Sequence, residues 1–585
     1  MGGINVRILF TFIAIIITVM QTNSQIPDPT ISDSLLLIHE DLLDQQSDNE
    51  ESYEENNENV ECKISIRSRM IHREQKGIGY YNGYYSGSVD KIYNRFNIKI
   101  NQQTTGNFLI EKDAGESYKN RFTSFNFTSI NVNHFIRKFI FGDYRLEFGQ
   151  GLTLWSGNSF QKGSDIVAPV NRKSRGIIST LSADETHFYR GIAVETRWRS
   201  LNISSFISSV GRTANLDTNG KIISFDMSGY FRTRNELKRR NNTNQTLTGG
   251  RIVYEFLNNN YVGLLFLNTS YSRKFSCNNS TKYYQHPYKM ISADFKMSAK
   301  GISFYGEMVM TSSLISGTGS ILIYTGKNIT LVSSYRFYPG FKQPFAMPFG
   351  EQGEKEFGLY SGVRYNPFNT LHLSFYYDQY KKIDLNYFPL YGYDFLADVK
   401  YYLKSKLSLV FNYRKRVNES HYLIKNNAGL TEKIIGWNYR QRFRLTLDYK
   451  ISTSIVTRAR MEINLYRDEI NSSNKSGFLF YHDMIFKILK YLSVNLRGIY
   501  FKNDCNETVS YELERDVDGV RSQIILYGEG VKFYLLASYN LKNWLKFSGK
   551  YSVLLRDDVL KIGTGQDTLP GNRDSRISVQ VDVNL

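Results

Sequence analysis

Cysteine, proline and long apolar runs are scarce in this chain, and each scarcity removes a class of protein. Cys62, Cys277 and Cys505 are odd in number and far apart, with no CxxC pair and no histidine beside them. They make neither a disulfide framework nor a zinc pattern. The 8 histidines include no HExxH spacing, so no metal is expected. No GxSxG elbow accompanies DETHFYRG around His187, and Gly149 and Gly151 lack the strand-turn-helix setting of a nucleotide loop. The expectation is a protein that is not an enzyme and carries no cofactor. With only 10 prolines against 15% aromatic residues, the composition is also far from that of a disordered chain. Beyond the first 25 residues no run approaches the roughly 18 apolar residues of a membrane helix. If this chain enters a membrane, it does so as strands.

What is present begins with an address. Arg7 precedes ILFTFIAIIITVM and then the polar TNSQ, the charged, apolar and small-residue order of a secretory signal. Residues 1–24 are assigned to it. Residues 25–61 form an acidic leader: SLLLIHEDLL reads as a short helix and DQQSDNEESYEENNENVE as a flexible linker. This leader carries twelve acidic residues and no Lys or Arg; removing them and Arg7 from the formal +18 leaves +29 on residues 62–585. An acidic leader therefore precedes a strongly basic body.

From Cys62 onward, segments of about ten residues alternate oily and polar side chains, separated by Asn, Gly, Lys and Asp clusters. In FRLTLDYKI, Phe443, Leu445, Leu447, Tyr449 and Ile451 share one face; in RISVQVDVNL, Ile577, Val579, Val581, Val583 and Leu585 do. Tyr and Phe crowd the segment ends, where amphipathic rings suit a headgroup layer. The fold expected is all-β: a large transmembrane antiparallel β-barrel of roughly two dozen strands over residues 62–585. The alternative is a secreted soluble β-array, which at this length needs domain linkers that the chain does not show.

GDYRLEFGQGLTLWSG from Gly142 shows the alternation most clearly. Asp143, Arg145 and Glu147 take one face and are expected toward a polar lumen; Tyr144, Leu146 and Phe148 take the other and are expected toward lipid. This stretch, with TLSADETHFYRGIAVE, SYRFYPGF, EKEFGLYSGVRYNP, YGYDFLADVKYYL, SGFLFYHDMIFKI, YELERDVDGVRSQIILYGEGVKFYLLASYNL and GNRDSRISVQVDVNL, resembles a Bacteroidota outer-membrane barrel family described as helix-hairpin-helix domain-containing proteins. The resemblance covers nearly all of residues 62–585. It implies a cell outer-membrane location in a Gram-negative bacterium after signal-peptide export. The family's helix-hairpin-helix module is missing between leader and barrel, so the resemblance lends no nucleic-acid-binding residues and nucleic acid is not an expected partner.

Residues 148–191 are too long and too broken for a hairpin turn. They are expected to fold as an inward loop or plug, the alternative being an ordinary surface loop. The candidate lumen or constriction residues are Asp143, Arg145, Glu147, Gln150, Trp155, Arg172, Arg175, Glu185 and Arg190. A barrel this wide must be plugged or conduct, so the functional expectation is a channel or gated transport barrel of unidentified solute. The competing reading is a non-conducting outer-membrane scaffold that docks periplasmic or surface partners, with the leader as its anchor. The expected surroundings are outer-membrane lipid and lipopolysaccharide. NELKRRNN around Lys238 reads as a solvated loop, or alternatively as a contact for lipopolysaccharide phosphate.

Overall fold

The computed structural model describes residues 62–585 apart from 156–161, 258–259, 277–287, 312–313, 327, 341–344, 352–354, 384–387, 404–405, 427–428 and 490. The secretory signal, the acidic leader and Cys277 lie outside the described residues. Twenty-four strands, from nine residues (Thr104–Lys112) to twenty (Thr431–Lys450), each pair antiparallel with the strand before and after in sequence. The first, Cys62–Arg73, pairs with Lys91–Ile100 on one side and with the last, Arg573–Asn584, on the other, Ile66 facing Val583. That pairing closes the sheet into a barrel and leaves no wall strand without two neighbours.

The alternation sorts side chains by solvent. Phe96, Ile98, Ile100, Leu264, Phe266, Phe533 and Leu535 are exposed on the outer face, whereas Arg69, Glu111, Asp294, Gln580 and Asp582 are buried on the inner one. An outer face of this kind is unfavourable in water at about 25 cal/mol per Å² and at home in hydrocarbon. Closure satisfies the backbone polar groups that lipid cannot. Among the described residues no helix is long and apolar enough to cross a membrane. The chain is an all-β barrel of the outer-membrane type.

The two ends of the barrel differ. Ile64 donates its N–H to the Leu585 carbonyl, so both ends of the described chain share one rim. At that rim the connections are short, as at 101–103, 199–200, 369–370 and 543–544, with exposed Trp198, Phe368, Tyr491 and Trp544 beside them. The opposite rim carries the long connections 148–188, 213–242 and 504–528, and exposed Tyr335, Tyr391 and Tyr500. Outer-membrane barrels place short turns in the periplasm and long loops outside, so the termini face the periplasm. The rings form the two interfacial belts.

One strand departs from this scheme, and it carries the GDYRLEFGQG stretch. Ile136–Glu147 runs in the wall up to Gly142 on the side of Phe122–Ile130, where its last partner is Asn126, and up to Tyr144, opposite Tyr189, on the other. Gly142 has φ +104°, and a Cβ there would meet the Phe125 carbonyl oxygen at 2.4 Å. Beyond it, residues 144–147 pair with the short segment Gly176–Ser179, which pairs with no other strand. The expectation that Tyr144, Leu146 and Phe148 meet lipid is therefore wrong, since all three are buried. Both faces of this strand end are covered because the strand has left the wall for the interior. Its oily face packs in an apolar cluster with Leu152, Leu154, Ile177, Leu247, Leu265 and Val309.

Candidate constriction inside the barrel

The connection 148–188 leaves the wall between the fifth and sixth strands and reaches the far side. Its Lys162 donates to Glu351 and to Asp378 at 2.5 Å each and lies 3.6 Å from Asp394. Asp378 and Asp394 sit on Leu371–Lys382 and Leu390–Leu403, the fifteenth and sixteenth of the 24 wall strands, nearly diametrically opposite the loop's origin. Ser164 donates to Asp398 at 2.9 Å and the Tyr360 hydroxyl to the Ile166 carbonyl at 2.9 Å. The segment thus crosses the lumen.

Its near half is clamped by one carboxylate. Glu307, buried on the inner face of Ile302–Met310, accepts from Gln150 N–H (2.6 Å), Leu152 N–H (3.0 Å), the Thr153 hydroxyl (2.5 Å) and the Ser292 hydroxyl (2.9 Å). Gly149 is required for this approach: its φ is +58°, and a Cβ would lie 2.6 Å from the Glu307 carboxylate. The connection after Ile329–Tyr338 comes inward at Phe345 and Met347 as well. Trp155 N–H donates to the Phe345 carbonyl and Met347 N–H to that of Gly151, both at 3.0 Å.

The structure places the candidate residues in pairs. Arg190 forks onto Asp143 (2.5 and 2.8 Å), which also accepts Phe125 N–H (3.2 Å), a donor left free where the strand peels away. Arg175 forks onto Glu147 at 2.8 and 2.6 Å. Arg145 donates to Ser182 at 3.0 Å and lies 3.8 Å from Asp184. Arg172 N–H donates to the Gln150 side-chain oxygen (3.1 Å), its guanidinium donates to the Met347 carbonyl, and it stacks over Trp155 at 5.2 Å. Glu185 lines a cavity at the long-loop rim that Arg190 also borders. Most of the predicted charges therefore neutralise one another. His187 is held by Asp184 at 3.0 Å, within one turn of loop.

Sequence reasoning did not single out the opposite wall. Fully buried Arg336 bridges Glu356 (2.6 Å) and Asp378 (2.7 Å), while Arg414 forks onto Asp394 (3.0 and 2.6 Å). Arg416 reaches Asp394 (3.5 Å) and Glu351 (3.9 Å). Burial alone would lower the Lys162 ammonium, but Glu351, Asp378 and Asp394 override it and raise its pKa. Burial alone would raise the Glu351 carboxyl, but Lys162 and Arg416 hold it down at about 2. Across the neighbouring register, Arg414 faces Arg442 and Arg416 faces Arg440. Like charges directly opposite are destabilising, so this wall is more basic than stability alone favours.

A second inward element missed from sequence is the connection 504–528. Its hairpin pairs Ser510–Glu514 with Ser522–Leu526. Acidic side chains along it meet basic wall residues: Glu512 meets Arg460 (3.1 Å), Glu514 meets Lys532 (2.8 Å) and Lys550 (3.1 Å), and Asp516 meets Lys550 (2.7 Å). Asp518 pairs with Lys546, one residue from the start of its strand at the periplasmic rim, so the hairpin extends down most of the lumen. The signal was present in YELERDVDG, whose acids at 512, 514, 516 and 518 fall at every second position.

In NELKRRNN, Arg234–Arg239 is a short helix with a Thr233/Glu236 capping box. Arg239 lies 3.5 Å from Asp226 and Arg240 donates to the Asn120 carbonyl at 2.6 Å, while Lys238 is exposed. Part of this basic patch is thus engaged within the protein. Among the described residues no group of three or more His, Cys, Asp or Glu is placed to hold a metal.

No family model matches the sequence, and no curated protein does. Solved structures do resemble the fold. The copper transporter OprC aligns with 92% of this chain and 82% of its own at 8% identity, with a TM-score of 0.45. The siderophore receptor PirA from Acinetobacter baumannii aligns over 91% and 81% at 8% identity and 0.44. The ferric enterobactin receptor PfeA from Pseudomonas aeruginosa aligns over 91% and 82% at 9% identity and 0.44. The closed pairing of this chain's own strands defines the barrel.

Proposed function

We propose that this protein is a gated transport barrel of the outer membrane. The lumen of its 24-strand wall is narrowed by 148–188, 339–355 and 504–528 and opens when these segments shift. The observation that carries the reading is Lys162: a loop lysine driven across the barrel into carboxylates of the opposite wall is a latch, and a latch has use only if the loop can also be elsewhere. Loops that line an aqueous passage and hold its charges are how wide barrels are gated. The arginines facing one another on Leu407–Lys425 and Thr431–Lys450 favour anions as the passing solutes. The motif resemblance to the Bacteroidota barrel family belongs to the same proposal and lends it no residue role.

The test is conductance of the purified protein in planar bilayers, comparing the native chain with one lacking 504–528. Closed or small native steps and larger, anion-preferring steps after deletion are expected. Two silent, well-folded barrels would overturn the proposal and favour the scaffold reading.

A further inference from the structure

A cavity of about 220 Å³ opens at the long-loop rim, away from the latch, between 121–123, 185–190, 209–213, 225–241 and Phe345. Four guanidinium groups line it: Arg121, Arg190, Arg212 and Arg240. Arg190 is neutralised by Asp143. The others donate to neutral oxygens. Arg212 gives Nε to Gln245 (2.8 Å), Nη1 to the Thr186 carbonyl (2.5 Å) and Nη2 to the Phe188 carbonyl (2.7 Å). Arg240 donates to the Asn120 carbonyl (2.6 Å), and Arg121 to that of Tyr118 (3.3 Å). None of these three has a carboxylate within ion-pair reach among the described residues.

The carboxylates on the cavity wall do not balance them. Asp226 accepts Ser228 and lies 3.5 Å from Arg239. Among the described residues Glu185 makes no ion pair. Burial, with Glu111 and Glu116 nearby, pushes its carboxyl well above the usual range against the opposing effect of Arg240. Five phenylalanines, Phe122, Phe188, Phe225, Phe231 and Phe345, line the cavity among small and polar residues such as Thr123, Thr186 and Ser209. Guanidinium forks match carboxylate and phosphate oxygens, and ring faces match a flat apolar body.

We propose that this cavity is a recognition site for a small organic anion, its carboxylate or phosphate held by Arg121, Arg212 and Arg240 and its flat body held by the phenylalanines. The site is independent of whether the barrel conducts, because binding is read without passage. A volume of this size suits a single-ring ligand.

The experiment is isothermal titration of the full-length protein in detergent with phenyl phosphate, benzoate and benzyl alcohol. Saturable binding of either anion, at least about tenfold tighter than the alcohol, is expected, and which anion binds sets the head group. The double variant Arg121→Gln/Arg240→Gln should weaken that binding about tenfold with unchanged thermal unfolding. Should that variant not fold, Arg121→Lys/Arg240→Lys supplies the second reading: it keeps both positive charges but loses the forked donors, and should weaken the anion several-fold while leaving binding of the alcohol unchanged. No binding of either anion up to about 10 mM, equal binding of the alcohol, or no response to either variant would overturn the proposal.

Discussion

Lys162 and Asp378 meet at 2.5 Å across the barrel, one on a loop that starts at the fifth strand and the other on the fifteenth. Both are buried, so the pair is held or lost as a unit. Lys162→Gln leaves Asp378 and Glu351 short of a cation, and breaking such a buried pair costs about 3–5 kcal/mol. The expected outcome is a displaced loop: larger conductance steps and faster trypsin cleavage within 148–188, with the barrel itself intact by gel mobility. Native-like conductance and cleavage would mean that the contact is not a latch.

Glu307 holds the other half of the loop through two backbone N–H groups and two hydroxyls. Glu307→Gln removes the charge that strengthens these four bonds and puts a donor where the Thr153 and Ser292 hydroxyls now donate, at about 1–3 kcal/mol. Trp155 reports on it. Of the 4 tryptophans only Trp155 is buried; Trp198 and Trp544 are exposed and Trp437 is half-buried. With those three changed to Phe, acrylamide should quench Trp155 weakly in the native chain and strongly in the Glu307→Gln variant.

The latch has a pH window. Glu351 is held at about 2 in the folded state, below its ordinary 4.5, by Lys162 and Arg416 against the opposing effect of burial. A depressed carboxyl contributes stability that is fully present above the unfolded value and lost as pH falls through the folded one. Conductance should therefore be flat from pH 5 to 8 and rise between about 4.5 and 2. A Glu351→Gln variant lacks that acid contribution and should be more open at neutral pH with a flatter profile. Identical profiles for the two chains would exclude Glu351 as the titrating group.

Gly142 marks the point where the strand leaves the wall. Gly142→Ala sets a Cβ 2.4 Å from a backbone oxygen at φ +104°, which the neighbouring strand cannot yield without moving. Strain of about 1–3 kcal/mol is expected, read as a lower thermal unfolding midpoint. Gly106→Ala, where a Cβ meets nothing within 4 Å, is the control and should leave that midpoint unchanged within about 1 kcal/mol.

Arg440 and Arg442 belong to the basic wall that the acidic hairpin 504–528 helps to screen; Glu507 lies 3.9 Å from Arg440. In the chain lacking 504–528, Arg440→Gln/Arg442→Gln should move the reversal potential in a salt gradient toward zero and lower anion preference. An unmoved potential would place the selectivity elsewhere.

The barrel was legible because a strand in a wall between oil and water must alternate, and RISVQVDVNL or FRLTLDYKI can do little else. The strand Asn260–Tyr271 held a further sign that sequence reasoning passed over. In VGLLFL, Leu264 and Phe266 face outward while Leu265 and Leu267 face inward and are buried. Apolar residues on both faces mean an inner face covered by protein, and that arc of wall receives the loop. The same ambiguity misdirected the reading of Tyr144, Leu146 and Phe148: alternation tells which side chains share a face and not what that face meets.

By itself the sequence determined the class of architecture and the scale of the barrel, because these follow from period and turn residues along one chain. Only the tertiary structure decided that Lys162 meets Asp378, that Glu307 clamps Gly149's neighbours and that an acidic hairpin lies against a basic wall. Those partners are separated by 216 residues in the first case and 157 in the second. Closure of the ring brings them together, and no local pattern records which strands a closed barrel sets face to face.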